Sequence, residues 1–240
     1  MTKPPFAPLD AQPAVPLLDR PVWHSLAGPQ QDLALGGALA RRYLPDIHVF
    51  ASAADDSPEA LAALAALLPA QGSLYLLQVP DLHLPPGVVS LKEALGVQML
   101  ATRSLASEPL HAGIQPLGET DAVEMQALAE LTQPGPFLAS THRMGRFLGV
   151  RNQGRLVAMA GERMHVAGYT EISGVCTHPD FRGQGLARVL SAAVASQIEA
   201  RGERPFLHAW RSNKAAITLY ESLGFQWRAD VQVAIIARAS

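Results

Sequence analysis

Val175-Cys176-Thr177-His178-Pro179-Asp180-Phe181-Arg182-Gly183-Gln184-Gly185-Leu186-Ala187 is the stretch on which the reading of this chain turns. An apolar, β-branched run gives way to a His-Pro-Asp turn. Two glycines then precede an apolar stripe, so the segment reads as strand, turn and helix start. The first turn of a helix leaves N–H groups without intrahelical partners and carries a partial positive charge. Glycines let a ligand approach that backbone and Arg182 adds a cation, so the expected guest is a phosphate, and more specifically a pyrophosphate. A dinucleotide-binding fingerprint would need a third glycine where Arg188 stands, and a P-loop would need Gly-Lys-Ser/Thr, which is absent.

Working outward, residues 184–201 place Leu186, Val189, Leu190, Ala193, Val194 and Ile198 on one helical stripe that Gly202 can end. Residues 205–210 read as a strand. Ser212 or Asn213 caps a helix ending near Leu223-Gly224, and 231–237 reads as a closing strand. Upstream, 113–116 reads as a strand, 120–131 as a helix with Asp121 and Glu124 at its favoured end, and 170–177 as the strand entering the decisive run. Residues 147–151 and 156–164 form a hairpin through Asn152-Gln153-Gly154.

The first half alternates helical and extended patterns. Leu33, Leu35, Ala38 and Leu39 predict a helix, 48–51 an extended piece, 57–68 a capped helix, 74–79 a strand, 91–95 a helix and 97–102 a strand. Three parts follow: a Pro-rich irregular tail over 1–20, an N-terminal α/β subdomain over 21–110, and a larger unit over 111–240.

Composition narrows the function. The formal net charge is −2 and no long run has one sign, so the basic footprint of a nucleic-acid binder is missing and small-molecule partners are expected. The longest apolar stretch, 60–68, is far below the roughly 20 residues of a membrane span. The start is broken by prolines and lacks a signal-peptide core. One cysteine, Cys176, agrees with a reducing compartment, so a cytoplasmic location with no membrane partner is expected. The histidines show no paired spacing, so no metal is expected. Pairing of two copies into a homodimer is left open.

Arg182, Gly185 and Ala187 also fit the coenzyme A pattern Arg/Gln-x-x-Gly-x-Gly/Ala. A second block, Asn213-Lys214-Ala215-Ala216-Ile217-Thr218-Leu219-Tyr220-Glu221-Ser222-Leu223-Gly224-Phe225, follows about thirty residues on. In this order and separation the two resemble the GNAT acetyltransferase superfamily, and the additional N-terminal half is similar to its glycine N-acyltransferase-like branch. The resemblance implies an α/β (α+β) fold, a mixed twisted sheet flanked by helices with an N-terminal α/β subdomain. It also implies acetyl-CoA as acyl donor and transfer to a primary amine (a small amine, an amino acid or a peptide N-terminus) by direct attack in a ternary complex.

On the same resemblance, the backbone of Arg182, Gly183, Gln184, Gly185, Leu186 and Ala187 would clamp the pyrophosphate. Val175, Cys176 and Thr177 would run beside the pantetheine arm, with an N–H of Val175 or Cys176 facing the thioester oxygen. Asn213 and Ala216 belong to the cofactor side, Asn213 either bonding the pantetheine or capping its helix. Tyr220 stands where the family has its general acid, and a phenol of pKa about 10 suits a leaving thiolate of pKa about 8.5. Glu171 is the leading base, with Glu162, His165, His178 and His208 as alternatives. A period of two would place Glu171, Ser173, Val175 and Thr177 on one face, with Cys176 opposite and no base to activate it. A non-catalytic CoA- or acyl-CoA-binding sensor that kept the clamp is the second reading. A hydrolase is disfavoured by the lack of a Gly-x-Ser-x-Gly elbow.

Overall fold

The computed structural model describes residues 16–105 and 113–239; the tail expected over 1–20 lies outside them as far as residue 15. An eight-stranded sheet runs in the order β4-β11-β5-β10-β9-β8-β7-β6. Its strands are β4 (Leu74–Gln78), β5 (Val88–Ala101), β6 (Ile114–Leu117), β7 (Phe147–Asn152), β8 (Arg155–Val166), β9 (Tyr169–Thr177), β10 (Arg204–Trp210) and β11 (Phe225–Arg238). Neighbours are antiparallel except β9 and β10, which are parallel and are joined by α4 (Leu186–Ala200). A small sheet of β1 (Ala34–Gly36), β2 (Ala40–Tyr43) and β3 (Ala51–Ala53) stands beside it.

Both faces of the large sheet are covered. Adjacent residues of β10 divide between two cores, as strand alternation requires. Leu207 packs with Leu190, Val194 and Ile198 of α4 and with Ile217 and Leu223 of α5 (Lys214–Leu223). Phe206 packs on the opposite face with Val22 and Leu26 of α1 (Pro21–Leu26), Tyr43 and Phe50. Farther along that face, Met125 and Leu128 of α3 (Ala122–Thr132) meet Phe147, Met159 and Cys176. Each fully buried Leu- or Phe-sized side chain contributes roughly 1.5–3 kcal/mol, so these helices are held by burial more than by propensity.

Local signals act where they were expected. Ser57 Oγ accepts from Ala60 N to cap α2 (Pro58–Ala66), and Asn213 Oδ1 accepts from Ala216 N at 3.1 Å to cap α5. The β7–β8 turn puts Gln153 (φ 48°) and Gly154 (φ 83°) in the left-handed region, the twist a tight hairpin needs.

Two expected helices are absent. Residues 33–39 instead end a 3₁₀ turn and form the β1–β2 hairpin, where Gly36 takes φ 114° and an added Cβ would lie 2.3 Å from the Ala40 carbonyl oxygen. Residues 91–95 belong to the continuous strand β5, which pairs with β11 over its length and with β10 over its second half. The boundary expected at residue 110 therefore does not separate two sheets, since β4 and β5 share one sheet with the strands that follow. No helix among the described residues is long and apolar enough to cross a membrane.

Candidate active site

The site begins where two parallel strands part. The β9–β10 ladder runs from Tyr169↔Arg204 to Ile172↔Leu207 and stops. Beyond it, β9 stays with β8 as far as Thr177↔Ala158, while β10 stays with β5 as far as Trp210↔Gly96. Residues 173–176 of β9 face 159–161 of β8, so β9 carries one extra residue, a bulge at Gly174 (φ 62°). An added Cβ there would also stand 3.0 Å from the Phe147 ring. The extra residue resets the alternation: Ile172 and Val175, three apart, both pack on the α4–α5 core. Glu171 and Val175 consequently do not share a face, contrary to the period-two expectation.

A cleft of about 690 Å³ opens in this fork and passes through the sheet. On the α4–α5 side it is bordered by Val175, Thr177, Leu186, Ala187, Ala216 and Tyr220, and Arg182, Gly183, Gly185, Cys176 and Asn213 also line it. Gln184 is exposed and does not. Gly183 (φ 76°) and Gly185 (φ 75°) are both left-handed, with nothing within 4 Å of an added Cβ. None of the N–H groups of Gly183 through Ala187 donates to another described residue, and Arg182 has no ion-pair partner among them. A row of unspent amides around open space at a helix start is the chemistry of an anion clamp.

Tyr220 lies across the cleft from that clamp. Its ring meets Phe225 edge to face, centroids 6.1 Å apart, and its hydroxyl bonds to no described residue. Burial pushes its pKa up to about 12, so it is a neutral phenol able to donate. Cys176 is buried against Met159 and Phe147, and desolvation pushes its thiol up to about 11, which leaves it protonated and a poor nucleophile.

On the opposite face a buried network crosses four strands. Glu171, fully buried, accepts from Arg163 Nε (2.8 Å) and Nη2 (2.5 Å), from His208 Nδ1 (2.7 Å) and from Met164 N (3.4 Å). Burial alone would lift its pKa. The Arg163 guanidinium and the hydrogen bond from His208 outweigh that and hold the carboxyl far below the usual carboxylate range. His208 Nε2 faces Gln98 Nε2 at 3.0 Å. That amide donates to Leu18 O and its oxygen accepts from Arg228, so Nε2 of His208 is the acceptor and its proton sits on Nδ1.

Of the expected bases, only His208 lines the cleft; Glu171, Glu162, His165 and His178 do not. Glu162 pairs with Arg201 at 2.9 Å, and His178 contacts Arg155 Nη2 at 2.7 Å. Arg163, Gln98, Phe50, Tyr75 and Leu77, none of them expected at the site, belong to the network or the cleft wall. An arginine inside the apolar run of β8 was the one signal available for Arg163.

Residues 147–233 match the family model described as FR47-like protein. A solved structure of a candidate acetyltransferase from the GNAT family of Novosphingobium aromaticivorans DSM 12444 is 44% identical, with a TM-score of 0.86 over 93% of this chain and 99% of that one. Mycothiol acetyltransferase of Thermobispora bispora is 41% identical over 63 residues, 25% of this chain and 21% of that protein. The [ribosomal protein bS18]-alanine N-acetyltransferase of Escherichia coli is 44% identical over 52 residues, 21% of this chain and 35% of that protein. The match to these two curated relatives thus spans 21% and 35% of their own lengths.

Proposed function

The chain belongs to the GNAT family, and on that footing we propose that it transfers the acetyl group of acetyl-CoA to a primary amine by direct attack within a ternary complex. The observation that carries this reading is the sharing of one cleft by the unspent amides of Gly183, Gly185, Leu186 and Ala187 and the unbonded hydroxyl of Tyr220.

In this reading the amides, with Arg182, hold the pyrophosphate, and the pantetheine arm fills the fork beside Val175–Thr177. Beyond Ile172 the β9 backbone has no rung to β10, and its N–H groups on that edge serve as donors to the thioester oxygen while it gains charge. The amine lone pair forms the C–N bond and the C–S bond breaks. Tyr220 gives its proton to the departing thiolate and regains one from solvent. Glu171 is assigned a positioning role in place of direct proton acceptance, because four donors occupy its oxygens and it does not reach the cleft. Two protons leave the nitrogen through water in the open cleft, one as the ammonium becomes the free amine and one after the C–N bond forms, the second balancing the proton that Tyr220 regains.

The spent carboxylate of Glu171 favours the second reading, a CoA-binding module without turnover. Calorimetry with acetyl-CoA followed by a thiol-release screen over amines separates the two. Tight binding with release supports the transferase. Tight binding without release on any amine supports the module, and no binding removes both.

A further inference from the structure

We propose that the far side of the cleft takes an acceptor of the amino acid class, an amine carrying a carboxylate and an apolar side chain, with Nη1 of Arg163 holding the carboxylate. The proposal rests on the transferase reading above and names its substrate.

The cleft leaves the fork on the face opposite α4 and α5. There its wall is Phe50, Leu77, Val231 and Val233, members of one apolar core, with Tyr75 packed beside them. Phe50, Tyr75 and Leu77 come from the N-terminal half of the chain, so that half builds the acceptor wall. Gly96 keeps the floor low: a Cβ there would lie 2.8 Å from Val231 Cγ2. An apolar wall of this kind favours an aliphatic or aromatic side chain over a polar one.

Besides the Tyr75 phenol, two ionisable side chains reach this part of the cleft, Arg163 and His208. Hydrogen-bond accounting separates them. His208 has both ring nitrogens engaged, Nδ1 with Glu171 and Nε2 with Gln98. Arg163 gives Nε and Nη2 to Glu171 and rests over the Phe50 ring at 5.0 Å. Its Nη1 has no partner among the described residues and is not among the sealed, unsatisfied atoms; since Arg163 lines the cleft, Nη1 is the guanidinium nitrogen left for a ligand there.

A guanidinium fixed on two of its nitrogens and free on the third is a preset donor whose ordering cost is already met. One free terminal nitrogen matches one carboxylate better than a phosphate, which calls for several donors. The reaction then forms the C–N bond of an N-acetyl amino acid, breaks the C–S bond and releases the CoA thiol.

The test uses the whole protein with acetyl-CoA and two acceptor series that differ only at the carboxylate: phenylalanine, phenylalaninamide and phenethylamine, then leucine, leucinamide and isopentylamine. The expected result is a kcat/KM for each free acid about 10- to 100-fold above its amide and amine, the discrimination one charge-assisted hydrogen bond supplies. In Arg163→Lys the acid-over-amine ratio should fall toward one. Should that protein fail to fold, Arg163→Met combined with Glu171→Gln leaves no unpaired buried charge and should show the same collapse. Amides and amines as good as the acids, or a ratio that survives loss of Arg163, would overturn the proposal and leave the transferase reading standing. Thiol release with none of a broad amine panel would overturn both.

Discussion

Nδ1 of His208 stands 2.7 Å from Oε1 of Glu171, one residue beyond the last rung that joins β10 to β9. The contact pins the two strands at the point where they separate, and it couples the fork to Arg163 through a single carboxylate.

Glu171→Gln should act on structure and acceptor binding while leaving proton transfer alone. It removes the anion facing a largely buried guanidinium, a change that costs about 3–5 kcal/mol when a buried pair is broken. The acceptor KM should rise as Arg163 and His208 lose their anchor. The acidic limb of the pH–rate profile should stay where it is, because the native carboxyl ionises far below working pH. Steady-state kinetics across pH decides this, and a displaced limb would restore Glu171 as the proton acceptor.

Tyr220→Phe keeps the ring against Phe225 and deletes the proton donor. Thiol release should slow by roughly 30- to 100-fold while the acetyl-CoA Kd changes less than about twofold. Equal rates in the two proteins would assign the proton to water.

Gly185→Ala puts a side chain on a residue at φ 75°, a strain of about 1–2 kcal/mol that the loop relieves by turning its amides away. Acetyl-CoA should bind about 5- to 20-fold more weakly by calorimetry. Gly154→Ala imposes the same kind of strain in the β7–β8 turn, at φ 83°, on a residue that does not line the cleft. That variant should lose stability and keep its affinity; equal losses in both would detach the clamp from Gly185.

Acid should destabilise the fold through His48 before it reaches the carboxylates. His48 is fully buried between the rings of Tyr43 and Phe50, and burial, aided by the nearby Arg163 charge, pushes its pKa down to about 3. The unfolded chain binds that proton near pH 6.5. Stability is therefore complete above about 6.5 and lost as pH falls toward 3, by about 1.4 kcal/mol per pH unit for one group. Urea unfolding at stepped pH should show this slope, and His48→Leu should flatten it between about pH 6.5 and 4.5.

What could be read from the sequence was local. The glycines before α4, the Asn213 cap and the β7–β8 turn each act within a few residues, so the chain announces them. Residues 91–95, Leu-Lys-Glu-Ala-Leu, have helical propensity, yet they extend because β11 pairs with them along β5. That partner lies more than a hundred residues away and leaves no mark nearby. The Gly174 bulge had a signal, a glycine inside a strand, but its consequence for which side chains share a face depends on the β8 register. The Arg163–Glu171–His208–Gln98 network draws on β8, β9, β10 and β5, so only the folded sheet brings its members together.

The central placement of β5 also bears on how the protein is made. Both strands that flank it, β10 and β11, leave the ribosome about a hundred residues after it does. Through that interval the nascent chain carries Val97, Met99, Leu100 and Ala101, all buried in the finished protein, with no strand to shelter them. Closure of the sheet thus waits until residues 204–238 have been made, and slow translation or scarce chaperone should show first as aggregation seeded by this one strand.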